Sequence, residues 1–261
     1  MYDIAALESA FAKSIYSGKF HYTPITGSTN TDALAAAREG APHGSVFFAD
    51  EQTAGRGRGD HNWQSAAGQG LYVSVILRPD IKLEHMPLIP LAAGLAAAQA
   101  IAITAGREVD LRWPNDLLIG PRKAGGILVE SKTESGGLAF AVAGIGINVH
   151  QRSFDPDLST PATSLDIESG RTINRQVLLI SLLESLQHET WALQDPGLRA
   201  AITARVAYMS SWVTGRHVEV HGPQECTGIT AGLDEQGFLL VRTDQGTVTV
   251  QTGGIRAANS E

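Results

Sequence analysis

The sequence predicts an α+β fold: a mixed or antiparallel sheet with flanking helices, followed by a small β-rich module. Three observations predict it. Up to about residue 208, stretches with helical apolar spacing are interspersed with short strand-like runs. Glycine pairs such as Gly136-Gly137 punctuate neighbouring runs in the manner of hairpins. From Gly215 to Ile255 helical spacing disappears, leaving short alternating segments cut by Gly222-Pro223, Asp234-Glu235-Gln236-Gly237 and Asp244-Gln245-Gly246. The boundary is expected at 210–214, giving domains 1–212 and 213–261.

The elements follow in order. Residues 1–17 read as an amphipathic helix through Leu7, Phe11 and Ile15. His21–Thr26 reads as a strand, and Ser28 to Asp32 supply N-caps for an alanine-rich helix that stops at Gly40. Ser45–Ala49 is a strand, Asp50–Gly70 a polar, glycine-rich loop, and Leu71–Leu77 a strand. The uncharged run Met86–Gly106 has prolines in its first turn and glycine at its end, so it reads as a core helix rather than a membrane span. Strands are expected at Val109–Trp113, Leu117–Ile119, Gly126–Ser131 and Leu138–Ile147, the last two as a hairpin. A polar stretch, His150–Thr172, precedes helices at Asn174–Gln194 and Gly197–Tyr208.

Composition narrows the function. Hydrophobic residues make up 43% of the 261 and charged residues 18%, a balance that buries a core and excludes a disordered chain. The net charge of -7 argues against a protein that clamps DNA or RNA, so phosphate chemistry must rest on a few local cations. Cys226 is the only cysteine, which excludes an internal disulfide and a multi-cysteine zinc site. Residues 1–13 lack the form of a signal peptide, and a cytoplasmic protein is expected. P-loop, dinucleotide, nucleophile-elbow and His-Glu-x-x-His motifs are missing. His217 and His221 on one strand face read as solvated histidines.

Four features remain, each in a loop or at a strand end. Gln52 precedes Gly55-Arg56-Gly57-Arg58-Gly59 and Trp63, where glycines let a ligand approach and guanidinium groups close over an anion. Arginine–glycine runs also occur in RNA-binding tails, but those are repetitive and cationic, whereas this run is a single copy in an acidic chain. Arg112-Trp113-Pro114-Asn115-Asp116 offers polar groups after a proline-fixed bend, though by itself it better suits an ordinary turn. Lys123 before Gly125-Gly126 is placed for a carboxylate or phosphate oxygen, or is simply an exposed loop lysine. Gly144-Ile145-Gly146-Ile147-Asn148 leaves room on one strand face, either for a ligand or for close packing.

Taken in order, Ser28-Thr29-Asn30, Gly55–Arg58 with Trp63, Trp113–Asp116, Lys123 with Gly126–Glu130, and Gly144–Asn148 resemble the catalytic domain of the biotin protein ligases. The resemblance runs from about residue 20 to Gly253-Gly254-Ile255. It implies a class II synthetase-like catalytic domain and a C-terminal SH3-like barrel. Arg112 departs from the pattern, since many members carry lysine there. With 27 residues before Ser28, the short form without a DNA-binding domain is expected.

The implied reaction joins biotin and Mg-ATP into biotinyl-5′-AMP and passes biotin to a lysine of a biotin carboxyl carrier protein, the acetyl-CoA carboxylase domain. DNA and membrane are not expected partners; a homodimer is compatible with the family. By resemblance, Ser28, Thr29, Asn30, Gln52, Arg56, Gly57, Arg58 and Lys123 bind biotin. Arg58, Trp63, Asn115, Lys123 and Asn148 bind ATP or the adenylate, and Arg58, Lys123 and Asp116 are catalytic. Metal ligands are unassigned. The alternatives are a lipoate or octanoate ligase or transferase of related fold, and a non-catalytic biotin-binding protein.

Overall fold

The computed structural model describes residues 2–59 and 61–258. A seven-stranded sheet comprises β1 (Phe20–Thr26), β2 (Val46–Gln52), β3 (Gly70–Leu77), β4 (Asp110–Arg112), β5 (Asp116–Ile119), β6 (Arg122–Glu134) and β7 (Gly137–Asn148). Their order is β1-β2-β3-β7-β6-β5-β4. Only the β1–β2 pair is parallel, because α2 (Thr29–Arg38) carries the chain back across the sheet between them. The sheet is therefore mixed, as expected. At its centre β6 and β7 form the anticipated hairpin, closing through Glu134 and Gly137.

Helices cover both faces. On one side α3 (Leu88–Ala105) and α5 (Arg175–Gln194) pack together over the sheet. α3 is long and apolar enough to cross a membrane, yet it is 72% buried inside the protein, as a core helix must be. Gly106 ends it in the left-handed region (φ 63°) and donates its N–H to Ala102. On the other side α2 covers a smaller cluster of Ala33, Ala37, Ile76, Phe140 and Val142.

A second, five-stranded sheet contains β8 (Thr214–His221), β9 (Cys226–Leu233), β10 (Leu239–Thr243), β11 (Gly246–Val250) and β12 (Gly254–Ala257), ordered β11-β10-β9-β8-β12. It rests on the larger layer through the Trp113 indole N–H, which donates to the Gly237 carbonyl at 3.1 Å. Gly237 itself crowds α3, since a Cβ there would lie 2.7 Å from Leu91.

Three helical expectations change. The first helix, α1, spans only Ile4–Ala10, because Phe11 to Tyr16 turn back so that the Tyr16 hydroxyl reaches the Leu183 carbonyl at 2.8 Å. The polar stretch 150–172 contains a short helix, α4 (Leu165–Ser169), capped by Ser164 and closed by Gly170 at φ 71°. The expected helix 197–208 is two, α6 (Pro196–Ala200) and α7 (Ile202–Tyr208), the first beginning at the Asp195 cap with proline in its first turn.

Candidate active site

Side-chain size along β7 leaves part of one strand face bare. Alternate residues face α2, and beneath the helix these are Phe140 and Val142. Past its N-terminus the same face carries Gly144 and Gly146, opposite Gly126 and Leu128 of β6 and Tyr72 and Ser74 of β3. Two side chains lie against this glycine floor. A Cβ on Gly144 would come within 2.6 Å of Asn30 Oδ1, and one on Gly146 within 2.7 Å of the Trp63 indole. Asn30 Oδ1 and Trp63 Nε1 are both buried without a partner among the described residues.

The N-terminus of α2 forms one wall. Ser28 is its N-cap residue, but its hydroxyl makes no capping bond. Thr29 donates its N–H to Gln52 Oε1 at 2.9 Å, and its hydroxyl lies 2.8 Å from Ser74 Oγ. Gln52 in turn donates to Ser65 Oγ at 2.7 Å, tying the end of β2 to the returning loop.

That loop folds as a narrow hairpin: Gly57 N–H donates to His61 O at 2.7 Å and Trp63 N–H to Gly55 O at 2.9 Å. Gly55 is required by this approach, since a Cβ there would meet Trp63 O at 2.4 Å. Its arginines diverge. Arg56 forms a two-pronged ion pair with Glu130 of β6. Arg58 reaches the second sheet, donating to the Gly253 carbonyl and to Thr252 Oγ1, the latter at 2.9 Å. Burial lowers the Arg58 pKa and Asp116 opposes that shift. A guanidinium remains charged throughout the working range.

A second charged group lies beside Gly126. Lys123 Nζ is 2.5 Å from Asp116 Oδ1, 3.6 Å from where a Gly126 Cβ would stand, and 5.6 Å from the centre of the Trp63 ring. Arg112 holds the other Asp116 oxygen through Nε and Nη2, at 3.0 and 2.6 Å, and also donates to Thr160. Burial pulls the Asp116 pKa upward, but Lys123 and Arg112 outweigh it and hold the carboxyl below its ordinary value. The Arg112 and Arg216 guanidinium groups lie 5.2 and 3.8 Å from the Trp212 ring centre.

The structure thus gathers Ser28, Thr29, Asn30, Gln52, Arg56, Gly57, Trp63, Asp116 and Lys123 near one glycine face, with Arg58 at the seam to the second sheet. Asn115 and Asn148 are instead taken up by the chain itself. Asn115 exchanges bonds with the backbone of Ile127. Asn148 donates to Thr163 O at 3.0 Å and accepts from Gln151 at 3.2 Å, holding the 149–163 segment beside the sheet. Sequence reasoning assigned no role to Glu130, Ser65, Ser74 or Thr160. Ser74 had a signal, as the lone polar residue in an otherwise apolar central strand.

A bare glycine face with an indole against it and cations beside it suits a flat, largely apolar ligand that ends in an anion. Residues 22–148 match the Biotin/lipoate A/B protein ligase family and residues 213–255 the Biotin protein ligase C terminal domain. The biotin–[acetyl-CoA-carboxylase] ligase of Mycobacterium tuberculosis (strain ATCC 25618 / H37Rv) is 36% identical over 239 residues, covering 88% of this chain and 85% of that one. The bifunctional ligase/repressor BirA of Bacillus subtilis (strain 168) is 34% identical over 236 residues, 90% of this chain and 72% of the relative. A solved structure of the biotin protein ligase from Aquifex aeolicus in complex with biotin and ATP superposes with a TM-score of 0.79 at 26% identity, covering 93% of this chain and all of that one. The chain belongs to the biotin protein ligase family.

Proposed function

We propose that this chain is a biotin–[acetyl-CoA-carboxylase] ligase, which forms biotinyl-5′-AMP from biotin and ATP and then biotinylates a lysine of a biotin carboxyl carrier protein. The observation that carries this reading is the bare glycine face of Gly126, Gly144 and Gly146, with Trp63 against it and Lys123 beside Gly126. The cytoplasm, which holds ATP, is the proposed setting. Residues 1–212 are the proposed catalytic domain and 213–261 an SH3-like one; the break between Tyr208 and Thr214 supports this division.

In the first half-reaction a biotin carboxylate oxygen attacks the α-phosphorus of ATP and pyrophosphate leaves. Both reactants are anions, and two unit charges at ~4 Å repel by about 4 kcal/mol at an effective dielectric near 20. Lys123 and Arg58 are the cations proposed to offset this, with Lys123 aimed by Asp116. Ser28, Thr29, Asn30, Gln52 and the Arg56–Gly57 backbone enclose the biotin rings. Trp63 covers the adenylate, and Asn115 and Asn148 act on the nucleotide through the segments they hold. Mg²⁺ would be carried in by ATP and would supply screening of its phosphates.

In the second half-reaction the neutral carrier amine attacks the biotinyl carbonyl, the bond from that carbon to the phosphate oxygen breaks, AMP leaves, and the amine's proton passes to water. Because its pKa is held low, Asp116 is a weak proton acceptor at neutral pH. Its carboxylate, held by Lys123 on one oxygen and Arg112 on the other, serves better to orient those two cations.

Incubation with biotin, Mg-ATP and a biotin carboxyl carrier domain tests the reading: mass spectrometry should find one biotinylated lysine. Equal or greater pyrophosphate release with lipoate or octanoate would overturn it. Two substitutions refine the site. Gly146→Ala should push Trp63 off the floor, seen as a changed tryptophan emission, and should weaken biotin binding measured by calorimetry. Arg58→Ala should keep the fold while weakening adenylate retention by roughly 1.5–3 kcal/mol, the typical value of a charged hydrogen bond. The measurement is release of labelled biotinyl-AMP from the isolated complex, which should be correspondingly faster.

A further inference from the structure

Glu130 has no part in the scheme above, yet it joins the two elements that place Asn30 and Trp63 on the glycine face. Its carboxylate receives both terminal nitrogens of Arg56 and the Nδ2–H of Asn30, the last at 2.5 Å. A carboxylate only accepts, so it dictates which end of the Asn30 amide it holds. The amide oxygen is thereby turned onto Gly144, buried and without a partner among the described residues. An acceptor held in that state favours a ligand that brings an N–H or O–H.

The second arm acts through the loop. Arg56 bridges Asn62 across the hairpin whose Trp63 lies over Gly146. Fixing the Arg56 side chain on β6 therefore fixes the height of the indole above the floor. A single exposed ion pair would contribute little to stability, but here two arms from separate elements share one carboxylate.

We propose that Glu130 is a positioning residue: it turns the Asn30 oxygen onto Gly144 and pins the 55–63 hairpin before any ligand arrives. The choice of biotin as ligand rests on the function proposed above, whereas the pinning does not.

Limited trypsin digestion of the ligand-free protein reads the pinning directly, through fragments ending at Arg56 and Arg58. Glu130→Ala should raise cleavage there about tenfold, because proteolysis follows the population of the open loop. Glu130→Gln keeps the shape and one acceptor, and should be intermediate. In pyrophosphate release the KM for biotin should rise about tenfold in Glu130→Ala, as expected when a charged anchor is lost, while the KM for ATP stays within about twofold. Wild-type cleavage rates in both variants would overturn the proposal. So would a fall in kcat with the biotin KM unchanged, which would place Glu130 in the chemical step. Should the alanine variant fail to fold by circular dichroism, the glutamine variant decides both readouts. Should the wild-type protein release no pyrophosphate with biotin, the function is wrong while digestion still decides the role of Glu130.

Discussion

Lys123→Met should slow formation of biotinyl-AMP by roughly 10²–10³-fold, the usual cost of removing one preorganised charge donor from a reacting oxyanion. The lysine is built for that position. Its backbone N–H donates to Pro161 O at 2.7 Å and its carbonyl accepts from Thr163 at 2.9 Å, so the main chain is held on both sides. Its ammonium sits between Asp116, the Trp63 ring and the small surface of Gly126. Methionine preserves the stem and removes the charge, while Asp116 keeps Arg112 as a partner. The folded state should therefore survive, and the loss should appear in kcat for pyrophosphate release at saturating biotin and Mg-ATP. A variant with wild-type kcat would show that the anion is neutralised elsewhere.

Asp116→Ala should be the most destabilising single change in the site, by roughly 3–5 kcal/mol, as expected when one member of a largely buried ion cluster is removed. Only 14% of its side chain is exposed, and the change leaves Arg112 and Lys123 facing each other without the intervening carboxylate. For a chain of this size that corresponds to a fall in melting temperature of roughly 10 °C. The sign of the pH dependence follows from the lowered pKa. A carboxyl held below its unfolded value stabilises the protein above that value, near 3.9, and the contribution is lost as the pH falls through the folded one. The stability gap between wild type and Asp116→Asn should thus be constant at neutral pH and narrow below about pH 4. Chemical denaturation at several pH values measures it; a gap that widens on acidification would contradict the ion-pair account.

Local chemistry made much of this legible before the fold. Prolines at the start and Gly106 at the end identified α3, and Gly136-Gly137 located the central hairpin. The spacing of Gly144 and Gly146 announced a bare strand face, although residue type alone did not say what lay on it. Less visible were pairings between distant parts of the chain. The parallel match of β1 to β2 depends on α2 crossing the sheet, which no local pattern encodes. Arg56 and Arg58 looked equivalent in their glycine run, yet one ends on Glu130 and the other on Gly253, contacts 74 and 195 residues away. The break at Ala201 between α6 and α7 was not visible either, since alanines at 200 and 201 favour helix and propensity does not show where a helix ends.

The stacking of Arg112 and Arg216 on Trp212 has a consequence for protein engineering. The terminal β-sheet is not a portable cassette. A chimera that grafts another relative's tail onto these first two hundred residues must supply an aromatic platform for Arg112 and an open carbonyl for Arg58. A graft that fits by length but lacks either would leave an arginine unmoored beside the reaction chamber, so the seam should follow those two residues rather than the nearest convenient loop.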